Sequence, residues 1–467
     1  MSSLPLEPDR AAMDSMGEVA LAFVKDFIEA RAGAPAADLD GAWPLADELA
    51  ATRPPATGRP LTELLGVVDA AAARAVDTAG PGYLAYIPGG GLFTAGLADF
   101  VACAINRYVS LADLAPALTA IEASVICWLC ELFALPSASE GILTSGGSIA
   151  NLSAIVTART ALLGDDFHDG TIYVSAHTHQ SVVKAAKIAG FPPAAVRIVA
   201  CTEDLALDPD ALREAIRADR AAGRHPFCVV ATAGTTNTGA VDPIAPVATV
   251  AAEEDLWCHV DAAYGGFFQL TERGRSRFAG IERADSITLD PHKGMFLPYG
   301  TGCLLVRDGE RLRAAHYVGS ELFQDLDTAR TIPNFADYSP ELSRDFRGLR
   351  VWLPLQLHGV DTFRAALDEK LDLTGVVFDG LRGTPEIEVP WDSPLSIVAF
   401  RLAGRDDAAN RRFLERINAS QRIALSSTMI DGRYTLRVCV LSHRTHRDRI
   451  EEAVAIIRES ALAEMGK

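Results

Sequence analysis

The chain has 467 residues, a formal net charge of −18 and a pI near 5.0, a balance that excludes nucleic acid or an anionic membrane as the main partner. Its 49% hydrophobic content, with Gly and Pro scattered through it, suits an α/β protein with one large core and a smaller lobe. No apolar run approaches the roughly 20 residues that span a bilayer.

The first residues carry Pro, Glu and Asp where a secretory signal needs a basic stretch and an apolar core, so a cytoplasmic location is expected. Eight cysteines stand at 103, 127, 130, 201, 228, 258, 303 and 439. Most lie in apolar runs such as Phe227-Cys228-Val229-Val230, where Cys acts as a small buried hydrophobe. Cys127 and Cys130 have the spacing of metal ligands, but they fall in the helical pattern Ile121 to Leu132 with no second pair. Buried thiols, a reducing compartment and no metal are expected.

In chain order, residues 1–92 are Ala-rich, with amphipathic helices predicted at Val19–Ala30 and Leu61–Val76 and breaks at Arg53-Pro54-Pro55 and Gly80-Pro81-Gly82. Residues 93–360 alternate short apolar runs with helical stretches. Ile172–Ser175, Phe227–Thr232, Trp257–Asp261, Ser286–Leu289 and Cys303–Val306 read as buried strands. The order implies a mainly parallel sheet with helices on both faces. Residues 361–467 predict a helix (Asp361–Leu381), strands at Ser396–Leu402 and Tyr434–Leu441, and a helix from Arg447, a small α+β domain. The weakly periodic stretch from Gly319 to Asp345 reads as a functional loop.

Five motifs stand at predicted strand ends, where open parallel sheets bind ligands. Thr144-Ser145-Gly146-Gly147-Ser148-Ile149-Ala150-Asn151 turns into a helix whose N-terminus can take a phosphate, or is a plain Gly-Ser turn. Ser175-Ala176-His177-Thr178-His179-Gln180-Ser181 offers a His to stack on or protonate a ligand, or a helix cap. Gly234-Thr235-Thr236 offers hydroxyls to a ligand or to its own turn, and Asp242-Pro243 reads as an ordinary helix start. In His259-Val260-Asp261-Ala262-Ala263-Tyr264 a carboxylate ends an apolar strand, a costly placement unless a cation such as a pyridinium meets it, or unless it caps the next turn. Lys293, in Leu289-Asp290-Pro291-His292-Lys293-Gly294, ends an apolar run and is partly desolvated, which favours a nucleophilic amine. Phosphate cup, stacking ring, carboxylate and lysine together make a pyridoxal 5′-phosphate (PLP) site.

With these motifs the chain resembles the group II PLP-dependent amino-acid decarboxylases, the family of aromatic-L-amino-acid and glutamate decarboxylases. The resemblance runs from Pro81-Gly82-Tyr83-Leu84-Ala85-Tyr86 to Leu436-Arg437-Val438-Cys439, and it is most specific at Thr144–Asn151, His259–Gly265 and Asp290-Pro291-His292-Lys293. It implies a type I PLP fold of the aspartate-aminotransferase kind. It also implies a homodimer in which residues 1–92 wrap the partner, with 93–360 as the cofactor-binding domain.

The resemblance makes Lys293 the aldimine lysine and Asp261 the partner of the pyridine nitrogen. His179 would stack on the ring, Gly147 and Ser148 hold the phosphate, and Ala263 lie against the ring. Thr236, Asp290 and His292 would contact the cofactor or substrate. Tyr86, Pro88 and Tyr108 would line the substrate pocket. Asp290 replaces the usual Asn and adds negative charge near the phosphate, while Gly294 replaces a frequent Trp and changes the wall beside the lysine. Counting back from Phe346-Arg347-Gly348-Leu349 puts Phe335 where decarboxylases keep the Tyr that protonates the carbanion, with Tyr338 three residues on. Relatives with Phe there are aldehyde synthases.

The resemblance thus implies decarboxylation of an L-amino acid, an aromatic one favoured by the Tyr-bearing pocket positions. Decarboxylation coupled to oxidative deamination is the first alternative. Aminotransferase or lyase chemistry on the same fold and a non-enzymatic PLP-binding scaffold are the others.

Overall fold

The computed structural model describes residues 5–319 and 332–466. Seven strands make the main sheet: β1 (Glu140–Thr144), β2 (Gly170–Ser175), β3 (Val196–Val199), β4 (His225–Thr232), β5 (Trp257–Asp261), β6 (Ser286–Leu289) and β7 (Gly302–Val306). Their order is β1-β7-β6-β5-β4-β2-β3. β7 runs antiparallel to both neighbours, and every other adjacent pair is parallel. One reversed strand therefore leaves β1 pointing the same way as the rest. Thr144, Ser175, Thr232, Asp261 and Leu289, the last residues of five strands, come out along one edge.

The apolar runs locate the strands well, because buried parallel strands carry apolar side chains on both faces. β5 and β6 coincide with the predicted runs, and β2, β4 and β7 begin one or two residues earlier. β3 had no such signal. It is one of the two edge strands, with Ile198 73% exposed and Arg197 bonded to Asp219, so its sequence does not read as a buried run. Behind β6 and β7 lies the helix Gly147–Leu162. Gly147, Ala150, Ala154 and Ala158 form its buried small-residue stripe at helical spacing and let its backbone approach the sheet closely.

The second sheet is β8 (Ile387–Glu388), β9 (Ile397–Leu402), β10 (Ser426–Ile430) and β11 (Arg433–Cys439), antiparallel in the order β10-β11-β9-β8. Helices Val360–Arg382 and Asp407–Asn418 pack on it, and Arg447–Met465 packs against those two helices, around a core that includes Phe400, Phe413 and Leu436. The segment before the main domain joins this lobe. Leu84 lies in its core, donates to Ala424 O (3.0 Å) and accepts from Cys439 N (2.9 Å).

The helices Arg10–Ala30, Ala42–Ala51 and Leu61–Ala72 carry no buried residue. Leu21, Val24, Leu64, Val68 and Trp43 (81% exposed) stand on their surfaces, more apolar area than a lone helix surface needs. Among the described residues, no helix is long and apolar enough to cross a membrane, and no cluster of three potential ligands could hold a metal ion. Cys130 is buried as expected, but Cys127 is exposed. It sits on the outer side of the helix Pro116–Leu132, its thiol 3.7 Å from Glu131 Oε1.

Burial holds His259 down to about 4 and His443 down to about 3, and pushes Asp242 up to about 6. Below about pH 6.5 the unfolded chain protonates these two histidines before the folded one does, so both lose stability as pH falls towards their folded values. Asp242 acts in the opposite sense between about 3.8 and 6 and offsets one of the two. The urea midpoint is therefore expected to fall between about pH 7 and pH 5, and His443→Leu should make that fall shallower. An unchanged slope in the variant would show that His443 does not carry it.

Candidate active site

A cavity of about 300 Å³ opens at the edge where the strands end. Gly147, Ser148, His179, Thr236, Asp261, Ala263, Asp290, His292 and Lys293 all line it. β1 runs straight into the cup Ser145–Ser148 at the start of the helix Gly147–Leu162, where unpaired N–H groups and the helix dipole favour an anion. A Cβ on Gly147 would reach 3.0 Å from Asp290 Oδ2 and 3.1 Å from Ala263 Cβ, so bare backbone is what keeps the cup open. Gly234 lies after β4 with φ +105°, and a Cβ there would sit 2.8 Å from the Tyr264 ring.

On the cavity floor, Asp261 is 4% exposed. Its Oδ1 accepts the Ala263 N–H (3.1 Å) and its Oδ2 accepts Asn151 Nδ2 (3.0 Å). His179 caps the helix Gln180–Ile188. Its Nδ1 accepts the Ser181 N–H at 3.2 Å and lies 2.8 Å from Ser181 Oγ. Burial lowers His179 below the ordinary imidazole range despite the charge of Asp261, so the ring is neutral near pH 7.

Lys293 sits in the short helix Pro291–Gly294, with Nζ 2.7 Å from Asp290 Oδ2. Asp290 is 2% exposed, and its Oδ1 is buried without a partner. His292 Nδ1 donates to Thr301 O at 2.7 Å, and burial holds the ring neutral. Gly294 does not form a wall of the cavity as expected. It faces the core, where a Cβ would meet Phe267 Cβ at 2.6 Å, so no larger residue fits.

Several expectations need correction. Asp242 is not an ordinary helix start: it is 1% exposed and accepts both Leu207 N and Thr232 N at 2.7 Å, bracing the end of β4. Phe335 is fully buried in the main core, with the Arg344 guanidinium 5.3 Å from its ring centroid, and does not line the cavity. Tyr338 does not line it either. The charges of Glu140, Glu310 and Arg313 act on its phenol, which burial pushes up to about 12. Tyr338 packs half-buried against the main core, next to Asp337, which faces Arg313 at 3.8 Å. Much of the loop expected between 319 and 345 lies outside the described residues.

Tyr86, Pro88 and Tyr108 are also absent from the cavity lining. Tyr86 is 65% exposed and Tyr108 donates to Leu342 O at 2.7 Å. Pro88 is buried in the segment that presses on the lysine loop, because Gly89 and Gly90 abut Tyr299 and Phe296. Three arginines fasten the chain after this region. Buried Arg344 bonds Glu122 and Leu143 O (both 2.6 Å), Arg347 bonds Glu341 (2.6 Å), and Arg350 bonds Asp99 (2.6 Å) and Thr301 Oγ1 (2.9 Å). Asn151, Ser181 and Arg437 are not among the site residues expected from the sequence, although Asn151 and Ser181 lie in its motifs. Arg437, on β11, is 2% exposed, with Nη1 donating to Ser426 Oγ at 2.8 Å and Nη2 unpaired.

The family pattern described as "Pyridoxal-dependent decarboxylase conserved domain" matches residues 47–403. The chain belongs to the pyridoxal-dependent decarboxylase family. It is 36% identical over 392 residues to the aromatic-L-amino-acid decarboxylase of Bacillus atrophaeus, covering 82% of this chain and 81% of that one. It is 32% identical over 378 residues to the L-2,4-diaminobutyrate decarboxylase of Rhizobium meliloti, covering 78% and 74%. Among solved structures, Oryza sativa TDC with PLP and tryptamine superposes with a TM-score of 0.93 at 29% identity, covering 99% of this chain and 100% of that one.

The protein is thus a PLP-dependent amino-acid decarboxylase of the type I fold, and its cavity fits the cofactor. An acceptor-only carboxylate on the floor matches a pyridinium, the lysine amine matches an aldehyde, and the glycine cup matches a phosphate. Asp290 adds a carboxylate beside that cup, offset by the Lys293 ammonium. β7 supports the cup from below: a Cβ on Gly302 would come 2.4 Å from Gly146 C and 2.6 Å from Thr144 Oγ1. Gly302→Ala should therefore displace the cup and weaken PLP binding at least about tenfold while the protein still folds. Fluorescence titration of the apoprotein with PLP checks this, and unchanged affinity would show that the cup does not rest on Gly302.

Proposed function

We propose that the protein removes the α-carboxylate of an aromatic L-amino acid, giving the amine and carbon dioxide. One observation carries the reading: a single cavity gathers Lys293, Asp261, His179 and the Gly146-Gly147 cup in the arrangement that PLP chemistry needs. Relatives that act on aromatic amino acids by name support the substrate class.

In this reading Lys293 bonds the cofactor and Asp261 holds the pyridine nitrogen. His179 covers the ring face and Ala263 leaves room on the other. Gly147 and Ser148 hold the phosphate, and Thr236 and His292 contact cofactor or substrate. When bound, PLP supplies the electron sink that lets the bond to the carboxylate break. The chain's own groups do the rest. Asp290 accepts a hydrogen bond from Lys293 Nζ and keeps the amine directed into the cavity. Asp261 is an acceptor that holds positive charge at the cavity floor, where low dielectric makes the pairing strong.

The resemblance assigns the substrate side chain to Tyr86, Pro88 and Tyr108, none of which lines the cavity of one chain. A second copy of the chain, met by exposed rings such as Tyr86 (65%) and Tyr299 (56%), therefore completes the pocket. The unburied apolar faces of the three N-terminal helices support that homodimer, residues 1–92 wrapping the partner. A second reading, aldehyde formation with oxygen, comes from the sequence resemblance alone: Phe335 occupies the chain position of the proton-donating tyrosine, although the fold buries it away from the cavity.

Incubation with a panel of L-amino acids under air and under argon tests both. Equal amounts of carbon dioxide and aromatic amine in either gas support decarboxylation. Aldehyde, ammonia and peroxide appearing only in air would replace it with the second reading, and a product that keeps its carboxylate would sink both. Lys293→Ala should lower turnover at least about a thousandfold.

A further inference from the structure

Behind Asp261 and His179 lies a buried row of side chains, of which Ser181 alone reaches the cavity lining. Asn151, 1% exposed, directs Nδ2 to Asp261 Oδ2 (3.0 Å) and to Ser181 Oγ (2.9 Å). Its Oδ1 lies 3.0 Å from Nε2 of His259, a fully buried ring on β5. His259 Nδ1 is 2.8 Å from Ser286 Oγ, which accepts Trp257 Nε1 at 2.8 Å. At the other end Ser181 Oγ stands 2.8 Å from His179 Nδ1.

One arrangement of protons satisfies every side-chain contact in this row. An indole N–H can only donate, so Ser286 Oγ accepts from Trp257 and turns its own proton to His259 Nδ1. Burial keeps His259 neutral, so its single ring proton is on Nε2 and goes to Asn151 Oδ1. Thr288 Oγ1, 3.5 Å from the same nitrogen, is at the limit of a bond. Asn151 then gives one N–H to Asp261 and the other to Ser181. The Ser181 hydroxyl proton goes to His179 Nδ1, which the Ser181 backbone N–H also meets, and His179 carries its own proton on Nε2. The reverse order fails at Asn151, because it would set an amide oxygen against the Asp261 carboxylate at 3.0 Å.

We propose that Trp257, Ser286, His259, Asn151 and Ser181 form a one-way hydrogen-bond chain that fixes the plane of the Asp261 carboxylate and the tautomer of His179. These five are positioning residues. Trp257, Ser286, His259 and Asn151 stand outside the cavity and Ser181 lines it, and the chain sets how firmly the two groups above it hold PLP. The proposal rests on the reading that Asp261 takes the pyridine nitrogen and His179 the ring face.

Long-range proton–nitrogen correlation on the 15N-histidine-labelled, PLP-loaded protein tests the proton positions directly. His179 and His259 should both be protonated at Nε2, and a proton on His259 Nδ1 would overturn the chain without any variant. His259→Leu removes the donor to Asn151, whereas His259→Gln can still accept from Ser286 and donate to Asn151. PLP should dissociate at least about tenfold more readily from His259→Leu, with a shifted pH titration of its visible band, and about as in the wild type from His259→Gln. Equal losses in both variants would reduce His259 to a packing role and overturn the proposal, as would no loss in either. Ser286→Ala carries the same prediction should His259→Leu fail to fold. Asp261→Ala separates the two readings: if it leaves PLP affinity unchanged, the role given to Asp261 fails while the proton positions stand.

Discussion

Asp261 ends a strand of five buried residues, and its carboxylate receives one backbone N–H and one amide N–H from the protein. A charge so placed is costly without a cation, and the rest of the site is arranged around that cost. The sheet delivers Asp261 to the edge, the neighbouring strand ends surround it, and the helix behind the sheet supplies Asn151. A pyridinium bound there would supply the cation that the carboxylate lacks. Gly234 is small on steric grounds: at φ +105° a Cβ would strike Tyr264 and Leu395.

The second organising element is the fastening around the cavity. Arg344 and Glu122 form an ion pair with both side chains fully buried. Such a pair adds little stability over an apolar contact, but losing one partner costs about 3–5 kcal/mol. It is therefore a strong constraint on position. Through Leu143 O and Gly348 N it ties the chain near 344–348 to the end of β1, just before the cup. Arg350 does the same for the lysine loop through Thr301, whose carbonyl also takes the His292 proton. The two halves of the cavity are thus held from behind by residues outside it.

Much of this was legible in the sequence because it rests on local pattern. Apolar runs bounded by Gly, Asp or Lys marked both the strands and the functional residue at each end. Asn151 and His259 were in plain view, but their use depends on facing. His259 and Asp261 are two apart on one strand and so share a face, and only the packed helix shows that Asn151 sits on that face. Asp242 was misread because its partners, Leu207 and Thr232, are distant or backbone groups that no motif records. Phe335 and Tyr338 were placed by counting back from Phe346, which fixes chain distance but not burial. The folded chain buries Phe335 in the core and packs Tyr338 against that core, so neither lines the cavity.

The reversed strand β7 has a consequence for how the molecule is built. β1 and the cup come early in the chain, yet their hydrogen-bonded neighbour is β7, and Gly302 lies directly against Gly146. Every parallel strand between them must be made before that pairing can close. Contacts so far apart in sequence form late and slowly. The phosphate end of the pocket is therefore among the last parts to be assembled on a nascent chain, so capture of the vitamin-derived cofactor follows completion of the sheet instead of guiding it.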